Sequence, residues 1–305
     1  MAMGETSGLD WDEETTTNIM LVEVPPLVHV VPFTRNQEGG DKRLKDGGAG
    51  VGADWLWWWV GHDGTSFGML VQAKRLKKDK ERWTIDFGYK SGKQWEDLHA
   101  TADVLNVAPS YALYLGSPDY RKPVECGRKD HPSDFGQCDR CIRKSVSFYP
   151  SVLAADGVGA EPGVAYRESI PLESIADPQA DTETPRTQEW TYGLTPELKE
   201  FLTTEAAGVP QAVAKQLVSK ARERRSWQFD LMEKNLTDQI SEDYVFESLP
   251  ADQGHLSAPY FIQILRGLRR TPPGYVLNVL NGDAPTGLDT TALAGLVVVR
   301  AESFN

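Results

Sequence analysis

Residues 52–76, GADWLWWWVGHDGTSFGMLVQAKRL, contain two predicted strands on either side of a turn. The first strand, over residues 54–60, carries aromatic side chains on both of its faces, so both faces of the sheet are expected to be covered. The turn is predicted at 62–64, where the sequence is His-Asp-Gly, and the second strand follows over residues 67–76. This hairpin is the predicted centre of an α/β fold.

The segments around the hairpin extend it into a sheet flanked by helices. A helix is predicted over residues 10–24 and a strand over 28–34, before a glycine-rich loop leads into the hairpin. After the hairpin, residues 91–106 have apolar side chains at helical spacing, and a strand is predicted over 110–116. The order helix, strand, strand, strand, helix, strand predicts a mixed sheet.

The C-terminal third is predicted to form an α+β part. Helices are predicted over residues 195–206, 210–227 and 260–270, and strands over 275–280 and 293–302. These patterns divide the chain into a core (1–120), a zinc knuckle (121–150), a loop or linker (151–194) and a C-terminal region (195–305). The alternative is that the C-terminal strands add to the first sheet and complete the same domain.

Composition limits the class of protein. The chain has 305 residues and a net charge of −12, which argues against a general electrostatic attraction to nucleic acid or to an anionic membrane. The longest aromatic and apolar run, over residues 55–60, is far shorter than the roughly 20 residues that span a bilayer. The N-terminus is acidic and lacks the apolar segment of a signal peptide. We therefore expect a cytoplasmic protein without a membrane partner.

All three cysteines lie in one short segment. Cys126, His131, Cys138 and Cys141 have the spacing C-x4-H-x6-C-x2-C, which is typical of four ligands around a structural zinc ion. Three cysteines that are close by chance, or a redox role for the C-D-R-C sequence, are the alternatives. The lysines and arginines around the knuckle fit two interpretations: contact with a phosphate backbone, or a basic loop that is simply solvated.

Two polar side chains on the second strand of the hairpin are candidates for chemistry. Gln72 and Lys74 are two residues apart, so they point to the same face of a strand. The hairpin brings Asp54, at the start of its strand, close to them, and Glu13 or Glu14 on the first helix could reach the same cluster. A lysine between apolar residues needs a carboxylate or a substrate phosphate as a partner. The alternative is a solvated lysine at the edge of the sheet.

These blocks resemble a known superfamily. G-A-D-W-L-W-W-W at 52–59, L-V-Q-A-K-R at 70–75 and E-E-T-T-T at 13–17 look like the PD-(D/E)xK restriction-endonuclease-like superfamily, in the Q-x-K form of its Mrr-type branch. They also look like a bacterial domain family of no assigned function that carries the same G-A-D-W and Q-A-K-R pair. The resemblance covers about residues 10–116 and implies a restriction-endonuclease-like mixed sheet flanked by helices.

The resemblance implies a metal-dependent DNA endonuclease, in bacterial defence against foreign DNA. Asp54, the side chain of Gln72 and the carbonyl of Ala73 would hold Mg²⁺ or Mn²⁺. Lys74 would activate the attacking water and stabilise charge on the phosphate, and Glu13 or Glu14 would add a second carboxylate. Gln94, at the start of the second helix, would contact phosphate or support the site.

The sequence departs from the pattern of the superfamily at two positions. Ala53, and not proline, precedes Asp54, and Gln72 replaces an acidic residue. The second change removes one negative charge from the site and weakens its expected affinity for metal. Two other functions therefore stay open: a catalytically silent module that binds nucleic acid or a protein partner, and a zinc-stabilised structural protein.

Substrate binding is expected from local charge. Residues 74–82 hold six basic and two acidic residues, a net +4, and Arg75, Lys77 and Lys78 are the predicted contacts to DNA. Two further basic runs, over 215–225 and 266–270, are typical of solvated helix faces, with DNA contact as the alternative. A homodimer, which cutting two strands usually calls for, and a protein or nucleotide activator are further candidate partners.

Overall fold

The computed structural model describes most of the chain. The described residues are 13–22, 27–33, 55–80, 82–87, 92–115, 138–154, 162–176, 193–224, 236–238, 242–252, 254, 256, 258–290 and 293–301. Their strands are β1 (Val28–Pro32), β2 (Trp55–Val60), β3 (Ser66–Arg75), β4 (Lys77–Asp79), β5 (Arg82–Thr84), β6 (Ala108–Tyr114), β7 (Val146–Pro150), β8 (Ile170–Pro171), β9 (Leu236–Asp238), β10 (Ser248–Pro250), β11 (Leu268–Arg269) and β12 (Gly295–Arg300). Their α-helices are α1 (Glu13–Val22), α2 (Lys93–Leu105), α3 (Asp139–Arg143), α4 (Pro162–Glu168), α5 (Leu172–Ile175), α6 (Pro196–Thr203), α7 (Val209–Glu223), α8 (Tyr260–Leu265) and α9 (Gly274–Leu280).

The structure confirms an α/β fold with a mixed sheet flanked by helices. Eight strands form the main sheet in the order β1-β12-β2-β3-β6-β7-β8, with β11 paired to β3. The pairs β12–β2 and β3–β6 are parallel, and the other strand pairs of this sheet are antiparallel. Among the described residues, none of the helices combines the length and apolarity that crossing a bilayer requires.

The predicted β2–β3 hairpin is confirmed. Every residue of β2 is buried, and the register pairs Trp55 with Val71 and Val60 with Ser66. In the turn, Asp63 Oδ1 accepts a hydrogen bond from the Thr65 backbone N–H at 3.0 Å, and Gly64 adopts a positive φ of 85°. Such a turn favours glycine, because a side chain at positive φ is sterically disfavoured.

The C-terminal strand joins the N-terminal part of the sheet. β12 lies between β1 and β2 and pairs with both. Gly295 faces the ring of Trp55, and a Cβ there would lie only 2.1 Å from the ring carbon Cζ3. Glycine is therefore required for β12 to begin beside the tryptophan.

Two predictions for the C-terminal third are wrong. Residues 275–280, predicted as a strand, belong to α9, which follows Pro273 and buries Val276 and Val279 while Leu277 is exposed. That spacing of three is helical, and the proline supplies the extended residue before the first turn. The helix predicted over 260–270 ends at Leu265, because the next residues turn back to form β11 beside β3.

Candidate active site

Gln72 and Lys74 lie side by side on one buried face of β3, as the sequence predicts. Only 1% of Gln72 and 6% of Lys74 is exposed. The alternative of a solvated lysine at the edge of the sheet is therefore wrong. An ammonium group inside the protein requires polar partners, since desolvation of a charge is costly.

One partner of the Lys74 ammonium comes from α2. Lys74 Nζ donates a hydrogen bond to Gln94 Oε1 at 2.5 Å. Gln94 lies in the first turn of α2, which packs on this face of β3 and β6 and buries Leu98 and Ala102. The structure thus assigns Gln94 to the support of Lys74, which is one of the two roles expected from the sequence.

The amide of Gln72 has no hydrogen-bond partner among the residues that the structure describes. Both Nε2 and Oε1 are buried and unpaired, as is the hydroxyl of Tyr111, the residue beside Gln72 on the parallel strand β6. Burial raises the pKa of the Tyr111 hydroxyl above its ordinary value of 10, so this group is neutral and able to donate. Buried polar groups are nearly always satisfied in folded proteins, so unpaired ones indicate a site for an ion, water or ligand.

Glu13 approaches the end of β3 from the other face of the sheet. Its Oε1 accepts a hydrogen bond from the Arg75 backbone N–H at 3.2 Å and lies 4.0 Å from Lys77 Nζ. Thr17 of the same helix shares a 2.6 Å hydrogen bond with the hydroxyl of Tyr114, which pairs with Arg75 in the β-ladder. Glu13 therefore fixes the end of β3, and its recorded contacts are not with Gln72 or Lys74.

The remaining predicted residues fall into two groups. Ala73 lies between Gln72 and Lys74, Arg75 is partly buried, and Lys77 and Lys78 are exposed. Asp54 and the side chain of Glu14 lie outside the described residues. Asp54 directly precedes Trp55 in the sequence. Trp55 pairs with Val71 in the β-ladder, and Val71 directly precedes Gln72.

A buried histidine that the sequence analysis passed over connects α2 to the sheet. Ser151 Oγ donates to the Pro109 carbonyl at 2.9 Å and lies 2.8 Å from His99 Nε2. Because the single hydroxyl hydrogen of Ser151 goes to the carbonyl, His99 Nε2 must carry its own hydrogen and donate it. Burial, together with the charge of Arg266, lowers the pKa of His99 from 6.5 to about 3, so the ring is neutral.

The two other basic runs are partly buried and structural. Arg222 of α7 is 3% exposed and donates to the hydroxyl of Tyr260 at 2.7 Å. Arg266 donates to the Val107 carbonyl at 2.7 Å, and Arg269 donates to the Leu105 carbonyl at 3.2 Å. The expectation of a solvated helix face is wrong for these residues. The Leu105 carbonyl is at the C-terminal end of α2, so the charge of Arg269 suits the negative end of a helix dipole.

Half of the predicted zinc knuckle is described. Cys138 and Cys141 are fully buried and form a small cluster of their own at the start of α3, and Tyr166 donates a hydrogen bond to Cys141 Sγ at 3.3 Å. Cys126 and His131 lie outside the described residues. Within the described part of the chain, no group of three or more potential metal ligands is present.

The fold and site define an α/β protein with a buried glutamine and lysine on a central strand. The chain belongs to the family of unknown function DUF6615, whose family model matches residues 1–304. Comparisons with curated proteins and with solved structures found no match.

Proposed function

We propose that this chain is a metal-dependent nuclease that hydrolyses phosphodiester bonds in DNA. The observation that carries the proposal is the buried pair Gln72 and Lys74, with the Gln72 amide unpaired. A glutamine oxygen suits a hard divalent cation, and an ammonium group suits a phosphate oxygen. Buried polar groups without hydrogen-bond partners also occur at ligand-binding sites, where the ligand supplies the partner.

The residues present fit a magnesium or manganese ion. Gln72 Oε1 is a buried oxygen without a partner, and the hardness of an amide oxygen matches these cations. Asp54, Gln72 and the Ala73 carbonyl would hold the ion. When bound, such an ion lowers the pKa of a water and polarises a phosphate. Lys74, held by Gln94, would stabilise negative charge on the phosphate, and Gln94 keeps the ammonium in place.

The order of elements supports the resemblance to restriction-endonuclease-like proteins. The helix α1, the strands β1, β2 and β3, the helix α2 and the strand β6 occur in the predicted order, with the short strands β4 and β5 inserted between β3 and α2. The strand β12 between β1 and β2 is an addition to that order. We therefore propose that the mixed sheet has the restriction-endonuclease-like fold.

A structural zinc ion is proposed at the knuckle. Cys138 and Cys141 fit it, because two buried thiols one helical turn apart are soft donors with the spacing of a zinc ribbon. The hydrogen bond from Tyr166 to Cys141 Sγ is of the kind that supports a metal-bound thiolate. Cys126 and His131 would complete the set.

A catalytically silent DNA-binding module is the second candidate. The neutral side chain at Gln72 favours it, because an amide binds a divalent cation more weakly than a carboxylate does. The same buried face could then bind a phosphate through Lys74 without cleaving it. Metal affinity and cleavage separate the two candidates.

The test is a cleavage assay with plasmid, linear duplex, single-stranded DNA and RNA in Mg²⁺ or Mn²⁺. Lys74→Ala and Asp54→Ala should each reduce the cleavage rate by about 100-fold or more, the scale for loss of a group that stabilises the transition state. Lys199→Ala, which removes an exposed lysine of α6, is the matched control and should cleave as the wild type does.

Each other outcome selects a different function. Cleavage that persists in both variants would overturn the assignment. DNA binding without cleavage, with no Mn²⁺ binding that depends on Asp54, would support the silent module. If the protein neither binds nor cleaves DNA, the zinc-stabilised structural protein is the function that is supported. A homodimer is expected if both strands are cut, and the mass in solution tests it.

A further inference from the structure

The strands β4 and β5 form a short hairpin of their own, directly after the strand that carries Lys74. They are antiparallel, with Lys77 opposite Thr84, Lys78 opposite Trp83 and Asp79 opposite Arg82, and they form a separate two-stranded sheet. Lys80 follows β4 directly and is exposed. The sequence predicted an exposed basic run here but not a hairpin.

The two faces of the hairpin differ. Trp83 is partly buried against the main core, and Lys78 Nζ lies 5.4 Å from the centre of its ring. This face anchors the hairpin, which would be marginally stable alone. Lys77, Arg82 and Thr84 are exposed on the other face, where the register pairs Arg82 with Asp79.

The outer face and Lys80 carry three basic groups, and one acidic residue, Asp79, is the ladder partner of Arg82. Among the described residues, no hydrogen bond or ion pair is recorded for the side chains of Lys80 and Arg82, and Lys77 has only the 4.0 Å contact with Glu13. These charges stand out in a chain of net charge −12. Lys80 also adopts a positive φ of 54°, a conformation that favours glycine or asparagine. A lysine is present there despite that preference.

We propose that the β4–β5 hairpin binds in the major groove of double-stranded DNA, with Lys77, Lys80 and Arg82 on the phosphates that border the groove. The groove is about 12 Å wide and admits a two-stranded ribbon, whose strands lie about 5 Å apart. Lys77 follows Lys74 by three residues, so the hairpin begins within about 10 Å of the candidate site. The inference deepens the proposed function, on whose DNA substrate it rests, by specifying a duplex.

The position of Trp83 favours duplex over single-stranded DNA. Proteins that bind single strands stack the bases on exposed aromatic rings. Trp83 is the aromatic residue of the hairpin, and its ring packs against the core and under Lys78. The outer face therefore offers charges to a phosphate backbone and no ring to a base.

The test compares variants that remove charge and keep the turn. In Lys80→Asn/Arg82→Gln, asparagine tolerates the left-handed conformation of residue 80. The control Lys199→Gln/Arg300→Gln removes the same number of exposed charges elsewhere on the chain. Binding to a labelled duplex of about 20 base pairs, and to one of its strands, is measured by fluorescence anisotropy without added Mg²⁺ or Mn²⁺, from about 50 to 200 mM salt.

The wild type should bind the duplex more tightly than the single strand. The hairpin variant should bind the duplex more weakly at low salt, and the slope of log K against log salt should fall in magnitude by about 1.8 for two lost phosphate contacts. The control should match the wild type. Equal binding by the hairpin variant and the wild type, preference for the single strand, or no DNA binding at all would overturn the inference.

The same proteins separate this inference from the proposed function. If the duplex is bound through the hairpin but never cleaved, the inference stands and the nuclease assignment fails. If the wild type cleaves DNA and the hairpin variant binds and cleaves equally well, the nuclease stands and the inference fails.

Discussion

A buried primary amide normally has several hydrogen bonds, and Gln72 has none with the described part of the chain. Gln216 of α7 shows the usual situation, since its Nε2 donates to the Ser174 carbonyl at 2.7 Å and to the Ile175 carbonyl at 3.1 Å. Both glutamines are buried. Gln216 therefore stabilises the fold, whereas the unpaired amide of Gln72 lowers its stability. This difference in stability can be measured without an activity assay.

Replacement of the two glutamines by leucine should change stability in opposite directions. Gln72→Leu should raise the free energy of unfolding by about 1–2 kcal/mol, because it removes an unpaired polar group from the interior. Gln216→Leu should lower it by about 1–3 kcal/mol, because two buried carbonyls lose their donors. Urea unfolding of both variants checks this. A destabilised Gln72→Leu protein would show that the amide has a structural role, and cleavage should be lost in that variant in any case.

The candidate site was predictable from sequence where strand periodicity determined it. Gln72 and Lys74 share a buried face because they are two residues apart on a strand. The contact between Lys74 and Gln94 is not predictable in this way, because the sequence does not specify how α2 lies across the sheet. His99 could not be recognised, since its partner Ser151 is 52 residues away and only tertiary packing brings the two together.

Individual elements were predictable where a local pattern had one solution. The helix predicted from residue 195 is an example, because Thr195 accepts a hydrogen bond from the Leu198 N–H at 3.4 Å and proline follows it at the first position of α6. The short apolar segment 275–280 fits either a strand or a helix, and packing of one of its sides selected the helix. The basic runs that contain Arg222 and Arg266 fit a solvated helix face in the sequence, because a sequence does not show which charges have buried partners.

The docking of α2 on the sheet depends on an uncharged His99. The folded protein holds the pKa of this residue at about 3, below the ordinary value of 6.5. Between these two values the unfolded chain binds a proton that the folded chain does not. The stability of the fold therefore decreases as pH falls through this range, and above pH 6.5 the residue contributes no pH dependence.

Replacement of His99 should flatten the pH profile of stability. Between pH 6.5 and pH 4.5, the wild type should lose up to about 1.4 kcal/mol per pH unit through this residue, and His99→Gln should lose less by that amount. Thermal unfolding at a series of pH values measures the slope. His62→Gln, at an exposed position in the β2–β3 turn, is the control and should keep the wild-type slope. Parallel profiles for wild type and His99→Gln would contradict the neutral buried ring.

The strand β12 joins the C-terminal third of the sequence to the strands β1 and β2. It pairs antiparallel with β1 and parallel with β2, so residues near 300 lie beside residues near 30 and near 60. The sequence predicted a strand here, but its place in the sheet depends on contacts far apart in the chain. Leu296, Val297 and Val298 are fully buried, which indicates that β12 is part of the core that surrounds the β2 tryptophans.

The sheet should therefore unfold as one unit across this connection. Leu296→Ala should lower the free energy of unfolding by about 2–5 kcal/mol, because it leaves a cavity in the core. Tryptophan fluorescence, to which the four tryptophans of β2 contribute, and far-UV circular dichroism should shift together to lower urea. Leu277→Ala, at a leucine of α9 that is 45% exposed, removes the same atoms and should change stability by about 0.5 kcal/mol or less. If Leu296→Ala instead produced two transitions, with the fluorescence change at its wild-type position, the C-terminal strand would be an independent addition. A single shifted transition would mean that residues 195–305 complete the unit begun by residues 1–120.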